Sequence, residues 1–384
     1  MGEWKEYKLG DIADIIPGFA FKSKDFGLVG EYVVKIKDIT PPCINIMSAD
    51  KVDISEYNVS RLEKYILHEG DYVVAMTGAT IGKVGKLKVK VKAFLNQRVA
   101  KIKTKDGICD NFIYYMLCTD DFQGFIQNNI DSNSAQENIS ANSIARFPVL
   151  LPSISEQKHI ASILSSLDDK IDLLHRENTT LEAMAETLFR QWFIEEAKDD
   201  WEEGKLGDVC LYVTEKIDIL NVDVDTYIST ENMCPNKQGV VEASSIPENV
   251  KVTQYIQDDI LLSNIRPYFK KIWLADRYGA CSNDVLCIRS KSEDLKYFTY
   301  YTIRQDDFFD YVMLGAKGCK MPRGDKQHIM NWPIIIPTND VLRRFYTIVE
   351  NGMAKIRNNN KQIQVLMQTR DSLIPKLMSN EIVI

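Results

Sequence analysis

Histidine is scarce in this sequence, and cysteine shows no pairing pattern. The four histidines are scattered, the eight cysteines contain no CxxC, and the closest two are Cys281 and Cys287. Such spacing fits neither a zinc quartet nor a disulfide framework. Reduced thiols in a cytoplasmic protein, with no bound metal, are expected. No run of about eighteen apolar residues is present, so no membrane-spanning helix is expected. Met1 to Gly10 lack the apolar centre of a secretory signal, and none is expected.

Cofactor motifs are missing as well. Gly78-Ala79-Thr80-Ile81-Gly82-Lys83 has three residues between its glycines where a phosphate loop has four. It also has Val84 where a Ser or Thr would hold magnesium, and it reads instead as a hairpin-type turn with Gly supplying positive φ. No GxGxxG follows a strand, so no dinucleotide or methyl-donor fold is indicated and no cofactor is expected. Thr40-Pro41-Pro42-Cys43 lacks the preceding Asn or Asp and the flanking aromatic of an adenine-methylating site, and reads as a loop. No catalytic residue is assigned.

Charge of one sign is segregated. The formal net charge is −7, yet Lys83 to Lys105 contains nine basic residues and no acid. From Ser155 to Glu203, acids outnumber bases 13 to 5. A negative total therefore does not exclude local basic faces that could meet nucleic acid.

What the sequence does have is a duplication. Trp4-Lys5-Glu6-Tyr7-Lys8-Leu9-Gly10-Asp11 recurs as Trp201-Glu202-Glu203-Gly204-Lys205-Leu206-Gly207-Asp208, an offset of 197. Glu69 to Val74 corresponds to Gln257 to Leu262 at 188, and Phe112 to Tyr115 to Phe298 to Tyr301 at 186. Phe147-Pro148 matches Trp332-Pro333, and Leu151-Pro152 matches Ile336-Pro337, both at 185. Each half opens with about 150 residues of mixed character. Tyr32 to Ile36 and Tyr72 to Met76 read as strands, and Phe112 to Gln127 as one helix. Pro148 and Pro152 bracket an extended run.

Each half closes with a long helix. The first is expected after Pro152, with Ser155 as its N-cap. Its apolar seam is Ile160, Leu164, Leu167, Ile171, Leu174, Asn178, Leu181, Ala185, Leu188 and Trp192, in steps of four and three. That is a heptad stripe. Its counterpart is Phe345, Val349, Gly352, Ile356, Asn359, Ile363, Leu366, Arg370, Leu373 and Leu377. Gly352 and Arg370 are poor seam residues, and Pro375 is expected to kink or end the helix. Neither stripe can be buried alone. The simplest partner is the other stripe, in antiparallel pairing, with Asn178 and Asn359 fixing register. The fold class expected is α+β: two mixed α/β domains separated by a pair of long antiparallel coiled-coil helices, an internal repeat with pseudo-two-fold character.

Loops and strand ends mixing Lys, Arg, Asn, Gln, Ser and Thr supply the phosphate contacts and base-edge hydrogen bonds that DNA binding needs. In the first half these are Thr77, Thr80 and Lys83; Asn96, Gln97 and Arg98; and Asn133, Ser134, Gln136 and Asn138. In the second half they are Asn264, Arg266, Tyr268, Lys270 and Lys271; Asn283; and Lys317, Lys320 and Arg323. The two sets fall at equivalent places in the repeat.

The repeated openings resemble those of the specificity subunits of type I restriction–modification enzymes, the HsdS-type proteins. So does Phe147-Pro148-Val149-Leu150-Leu151-Pro152-Ser153-Ile154-Ser155-Glu156-Gln157-Lys158-His159-Ile160, which is similar to the family's Leu-Pro…Glu-Gln…Ile entry into its first spacer helix. The second copy, Trp332 to Val341, lacks the Glu-Gln pair. The resemblance spans essentially the whole chain. It implies target-recognition domains at 1–154 and 201–337, a central spacer helix at 155–200 and a C-terminal spacer helix at 338–384. It also implies a non-catalytic subunit that binds double-stranded DNA at a bipartite target. Its partners would be methyltransferase (modification) subunits, two per chain, and through them a restriction/motor subunit. Two other classes remain open: a DNA methyltransferase or nuclease with a dispersed site, and a bivalent protein scaffold.

Overall fold

The computed structural model describes residues 4–130, 137–248, 251–318 and 320–382. The chain divides into two compact units, residues 1–173 with 363–384 and residues 174–362. Each is a mixed α/β body that includes part of both long helices. No helix among the described residues is long and apolar enough to cross a membrane.

In the first unit, four strands lie side by side in the order Ala13–Pro17, Val99–Thr104, Tyr72–Ala75, Val84–Lys86, extended by Cys43–Ile44 and Ile39–Thr40. In the second, Cys210–Tyr212, Val285–Ser290, Ile260–Ser263 and Ile272–Leu274 follow the same order. The central strands explain the unbroken apolar runs in the sequence. Successive side chains of a strand point to opposite faces. Tyr72 and Val74 enter one hydrophobic core and Val73 and Ala75 another. Ile260 and Leu262 likewise part from Leu261. A strand covered on both faces shows no polar alternation.

A second sheet in each unit is built on Ala93–Leu95 or its counterpart Gly279–Cys281. Each has one parallel neighbour, Glu31–Val34 or Tyr227–Ile228, and one antiparallel neighbour, Ile66–Leu67 or Lys251–Tyr255. The repeated openings also do the same work twice. Lys5–Lys8 pairs with Pro148–Leu151, and Glu202–Lys205 with Pro333–Ile336. The Lys8 N–H donates to Asp11 Oδ2 at 3.0 Å, and the Lys205 N–H to Asp208 Oδ2 at 2.8 Å. Lys105 Nζ donates to the Gly10 carbonyl and Lys291 Nζ to the Gly207 carbonyl. The duplication is thus one of tertiary contacts as well as letters.

Several local expectations are corrected. The helix expected over Phe112 to Gln127 is two, Asp110–Leu117 and Asp120–Asn128. Thr119 ends the first and caps the second, its hydroxyl accepting from the Phe122 N–H. The run at Tyr32 gives the strand Glu31–Val34 and then a 3₁₀ turn, Ile36–Asp38. Thr40 and Cys43 pair across Pro41-Pro42, so the loop there is a tight hairpin.

The central helix runs Ile154–Arg190 and adds a π-helical turn, Gln191–Glu195. Ser153, not Ser155, serves its first turn, accepting from the Glu156 N–H at 3.3 Å. The Glu156-Gln157 pair is a clamp. Glu156 Oε1 accepts from the Trp4 indole at 3.3 Å, while Gln157 accepts from the Cys109 N–H and donates to the Pro152 carbonyl. The C-terminal helix, Asn339–Met378, does not end at Pro375.

Within each unit the helix segments pair antiparallel. In the first, Ile160 and Leu164 share a core with Ile374 and Leu377. In the second, Phe189 meets Phe345, and a side chain at Gly352 would touch Leu181. Asn359 Nδ2 donates to Asn178 Oδ1 at 2.8 Å, and Asn178 Nδ2 to Asn360 Oδ1 at 2.8 Å. The two seam asparagines therefore meet, as the register argument requires. Arg370, a poor seam residue by hydropathy, is buried against Asp168.

Candidate nucleic-acid interface

Two of the three expected loop segments in each half emerge from the ends of central strands. The turn after Tyr72–Ala75 carries Thr77, Thr80 and Lys83, with Gly78 and Gly82 at φ +73° and +81°. Those left-handed positions are where a residue without a Cβ is least strained. The turn between Ala93–Leu95 and Val99–Thr104 carries Asn96, Gln97 and Arg98. The third segment holds Asn138. Asn133, Ser134 and Gln136 lie outside the described residues.

Backbone hydrogen bonds tie the three segments together. The Met76 N–H donates to the Arg98 carbonyl at 2.9 Å, the Gly78 N–H to the Glu137 carbonyl at 3.1 Å, and the Ile139 N–H to the Met76 carbonyl at 2.9 Å. The second half repeats all three bonds. The Asn264 N–H donates to the Asp284 carbonyl at 2.8 Å, the Arg266 N–H to the Pro322 carbonyl at 2.8 Å, and the Gly324 N–H to the Asn264 carbonyl at 3.2 Å. Segments far apart in sequence are thereby gathered at one end of the sheet in each unit.

The side chains within these clusters differ in availability. Lys83, Gln97, Arg98, Arg266, Lys320 and Arg323 are exposed, and Asn96, Asn138 and Asn264 half-buried. Lys83, Arg266 and Lys320 have no ion-pair partner among the described residues. Thr77 is buried, and the Thr77 and Thr80 hydroxyls have no hydrogen-bond partner among the described residues. Other cations are held internally. Lys271 Nζ donates to the Thr230 carbonyl at 2.6 Å. Lys317 pairs with Asp325 at 2.6 Å, and Arg323 with Asp284 at 3.0 Å. Asn283 is exposed, its Oδ1 accepting from Lys216 Nζ at 2.6 Å.

Lys270 and Lys237 both close on Asp306 Oδ1, at 2.8 and 2.7 Å. Sequence reading missed Lys237, Asp284 and Asp306, because nothing local marks a carboxylate as the partner of a distant loop lysine. The hydrogen bonds from Lys237 and Lys270 push the Asp306 carboxyl down to about 2. The contribution of this contact is therefore complete above the ordinary carboxylate range, about 4, and is lost as pH falls through the depressed value. In a carbon-detected NMR titration, Asp306 should show a midpoint near 2 in the native chain. Lys270→Ala should raise that midpoint. An unchanged midpoint would mean that Lys270 does not hold the carboxylate in solution.

Fold and cluster geometry define a class: a duplicated α/β protein whose two units each hold part of both long helices and a three-segment polar cluster. Residues 1–183 match the family described as type I restriction modification DNA specificity domain. The specificity subunit of the type I restriction enzyme MjaIX from Methanocaldococcus jannaschii is 24% identical over 99% of this chain and 94% of its own length. The EcoBI specificity subunit from Escherichia coli is 30% identical, over 44% of this chain and 33% of its own. The crystal structure of a type-I restriction-modification S subunit from M. genitalium has the same fold. Its TM-score is 0.56 and its identity 15%, covering 98% of this chain and 96% of that one. The chain is thus similar to the specificity subunits of type I restriction–modification systems, by the family match over residues 1–183 and by the MjaIX relative along nearly its whole length.

Proposed function

We propose that this subunit reads a bipartite duplex target, one half-site per three-segment cluster, and that it is itself non-catalytic. Residues 1–154 and 201–337 are the recognition domains, and residues 155–200 and 338–384 the spacers. The acidic central helix docks the modification subunits, two per chain, through which a restriction/motor subunit is recruited. The observation that carries this reading is the recurrence of the same three hydrogen bonds in both halves, which present the predicted polar residues at equivalent places. Two copies of one scaffold with different side chains suit a target with two different halves. Exposed cations supply the phosphate attraction, and Asn, Gln and Arg supply base-edge contacts.

Arg266 and Lys320 are the residues to change first, because their charges are not already spent on protein carboxylates. In the chain assembled with its modification subunits, Arg266→Ala should weaken recognition of one half-site and leave the other unchanged. A base contact would relax a single position by about 1–3 kcal/mol, while a phosphate contact would lower affinity uniformly and reduce the salt slope by about one. Lys83→Ala should act on the opposite half-site. Binding and specificity untouched by Arg266→Ala, Lys320→Ala and Lys83→Ala would remove the clusters as the DNA face. Methyl transfer to DNA by the purified chain alone would remove the non-catalytic assignment.

A further inference from the structure

One feature of the second cluster is not explained by cation and amide contacts. Tyr268 and Phe269 are 48% and 39% exposed, in tilted contact with ring centroids 4.7 Å apart. They sit on the 3₁₀ turn Pro267–Phe269, whose two flanking residues, Arg266 and Lys270, both have φ +50°. Neither is glycine, so the surroundings must impose this backbone. They do so from several sides. Pro267 is buried. The Arg266 N–H is bound by the Pro322 carbonyl, the Phe269 carbonyl by the Asn236 N–H and the Lys270 carbonyl by the Lys237 N–H. Lys237 and Lys270 then clamp on Asp306, the first residue of the helix Asp306–Leu314, against which the turn packs. The fold thus spends its buried contacts on holding two aromatic rings out in solvent.

The surroundings of the rings decide what they meet. Arg266 and Lys320 are exposed and carry no ion pair among the described residues, and Lys271 Nζ lies 5.8 Å from the centre of the Phe269 ring. Met321, next to Pro322, is 49% exposed. An apolar point rimmed by unneutralised cations is poorly suited to the core of a protein interface, which is depleted in charge. It suits a polyanion with an apolar interior, the stacked duplex. We infer that Tyr268 and Phe269 form an aromatic wedge that enters the duplex at the half-site facing the second cluster and unstacks one base step. This rests on the proposed reading of that cluster as a DNA face. The equivalent turn of the first half, Gly78–Thr80, carries no aromatic residue. The two half-sites are therefore engaged differently, one by surface contact alone and one with local distortion.

The test uses the chain assembled with its modification subunits and duplexes carrying its methylated motif. 2-Aminopurine is placed in turn at each position of both half-sites. Binding should raise the fluorescence several-fold at one step of the second half-site and nowhere in the first. Tyr268→Ala and Phe269→Ala should lose that rise and weaken binding about tenfold or more. Tyr268→Phe and Phe269→Trp should retain it, which separates ring stacking from loss of fold. If no position brightens while Arg266→Ala still weakens binding, the wedge is wrong and the DNA face stands. If neither Arg266→Ala nor the aromatic variants alter DNA binding, the DNA face itself is wrong. Aromatic variants that fail to assemble with the modification subunits, yet remain folded by circular dichroism, would make the pair a protein contact and overturn the wedge.

Discussion

Arg370→Ala should destabilise the first unit by about 3–5 kcal/mol, the cost of leaving a partner charge buried and unpaired. Arg370 and Asp168 are 8% and 7% exposed, and Arg370 Nη1 lies 2.8 Å from Asp168 Oδ1. The other carboxylate oxygen accepts from the Tyr115 hydroxyl at 2.7 Å. Removing the guanidinium leaves Asp168 with a neutral donor in a site that water barely reaches. Trp4 is the one tryptophan of this unit, so urea unfolding followed by its emission reports the change locally. Replacing both partners, Asp168→Leu with Arg370→Met, should recover most of the loss, because the desolvation cost of two ions disappears with them. A single-variant loss below about 1 kcal/mol would show that the pair behaves as an exposed one.

Under the proposed bipartite reading, lengthening both long helices together should widen the gap in the DNA target and leave the bases at its ends unchanged. The chain passes between the two units at Leu173/Leu174 and at Gln362/Ile363, and both crossings lie inside helices. Four residues inserted at each crossing add about 6 Å and turn each helix about 400°, close to a whole turn. Contacts within the units, such as Asp168 with Arg370 and Asn178 with Asn359, keep their register because each insertion falls outside them. At about 3.4 Å per base pair, the gap should grow by one or two base pairs. Two residues inserted in both helices should abolish modification, since about 200° of rotation would turn the seams on either side of each crossing to different faces, and four residues in one helix alone should do so because the two crossings would then differ in length by about 6 Å. Genome-wide sequencing of the methylated motif reads the result. An active four-residue double insertion with an unchanged gap would mean that the helices do not set the spacing.

The chance to design such paired insertions shows where sequence reading stops. A heptad stripe says that a helix needs a partner, and a duplicated stripe says which partner is simplest. It does not say that Arg370 belongs in the seam. On hydropathy alone Arg370 is a fault; opposite Asp168 it completes an ion pair. Phe189 and Phe193 are buried more deeply than the expected Leu188 and Trp192. A helix of 3.6 residues per turn drifts from a strict heptad over this length.

What the sequence determined by itself was much of what periodicity and backbone chemistry set. The duplication, the paired long helices, the Gly-bearing turn after Tyr72–Ala75, the extended run bracketed by prolines and the three polar segments of each half were all legible. Each depends on residues close in the chain or on a repeated spacing. Only the tertiary structure decided what the polar side chains do. Lys270 looked like a DNA contact and is clamped on Asp306; Glu156 and Gln157 looked like a motif and are a clamp on Trp4 and Cys109. An ion pair or a buried hydrogen bond joins groups whose separation along the chain is arbitrary. No spacing announces it, and it exists only once the strands have brought the loops together.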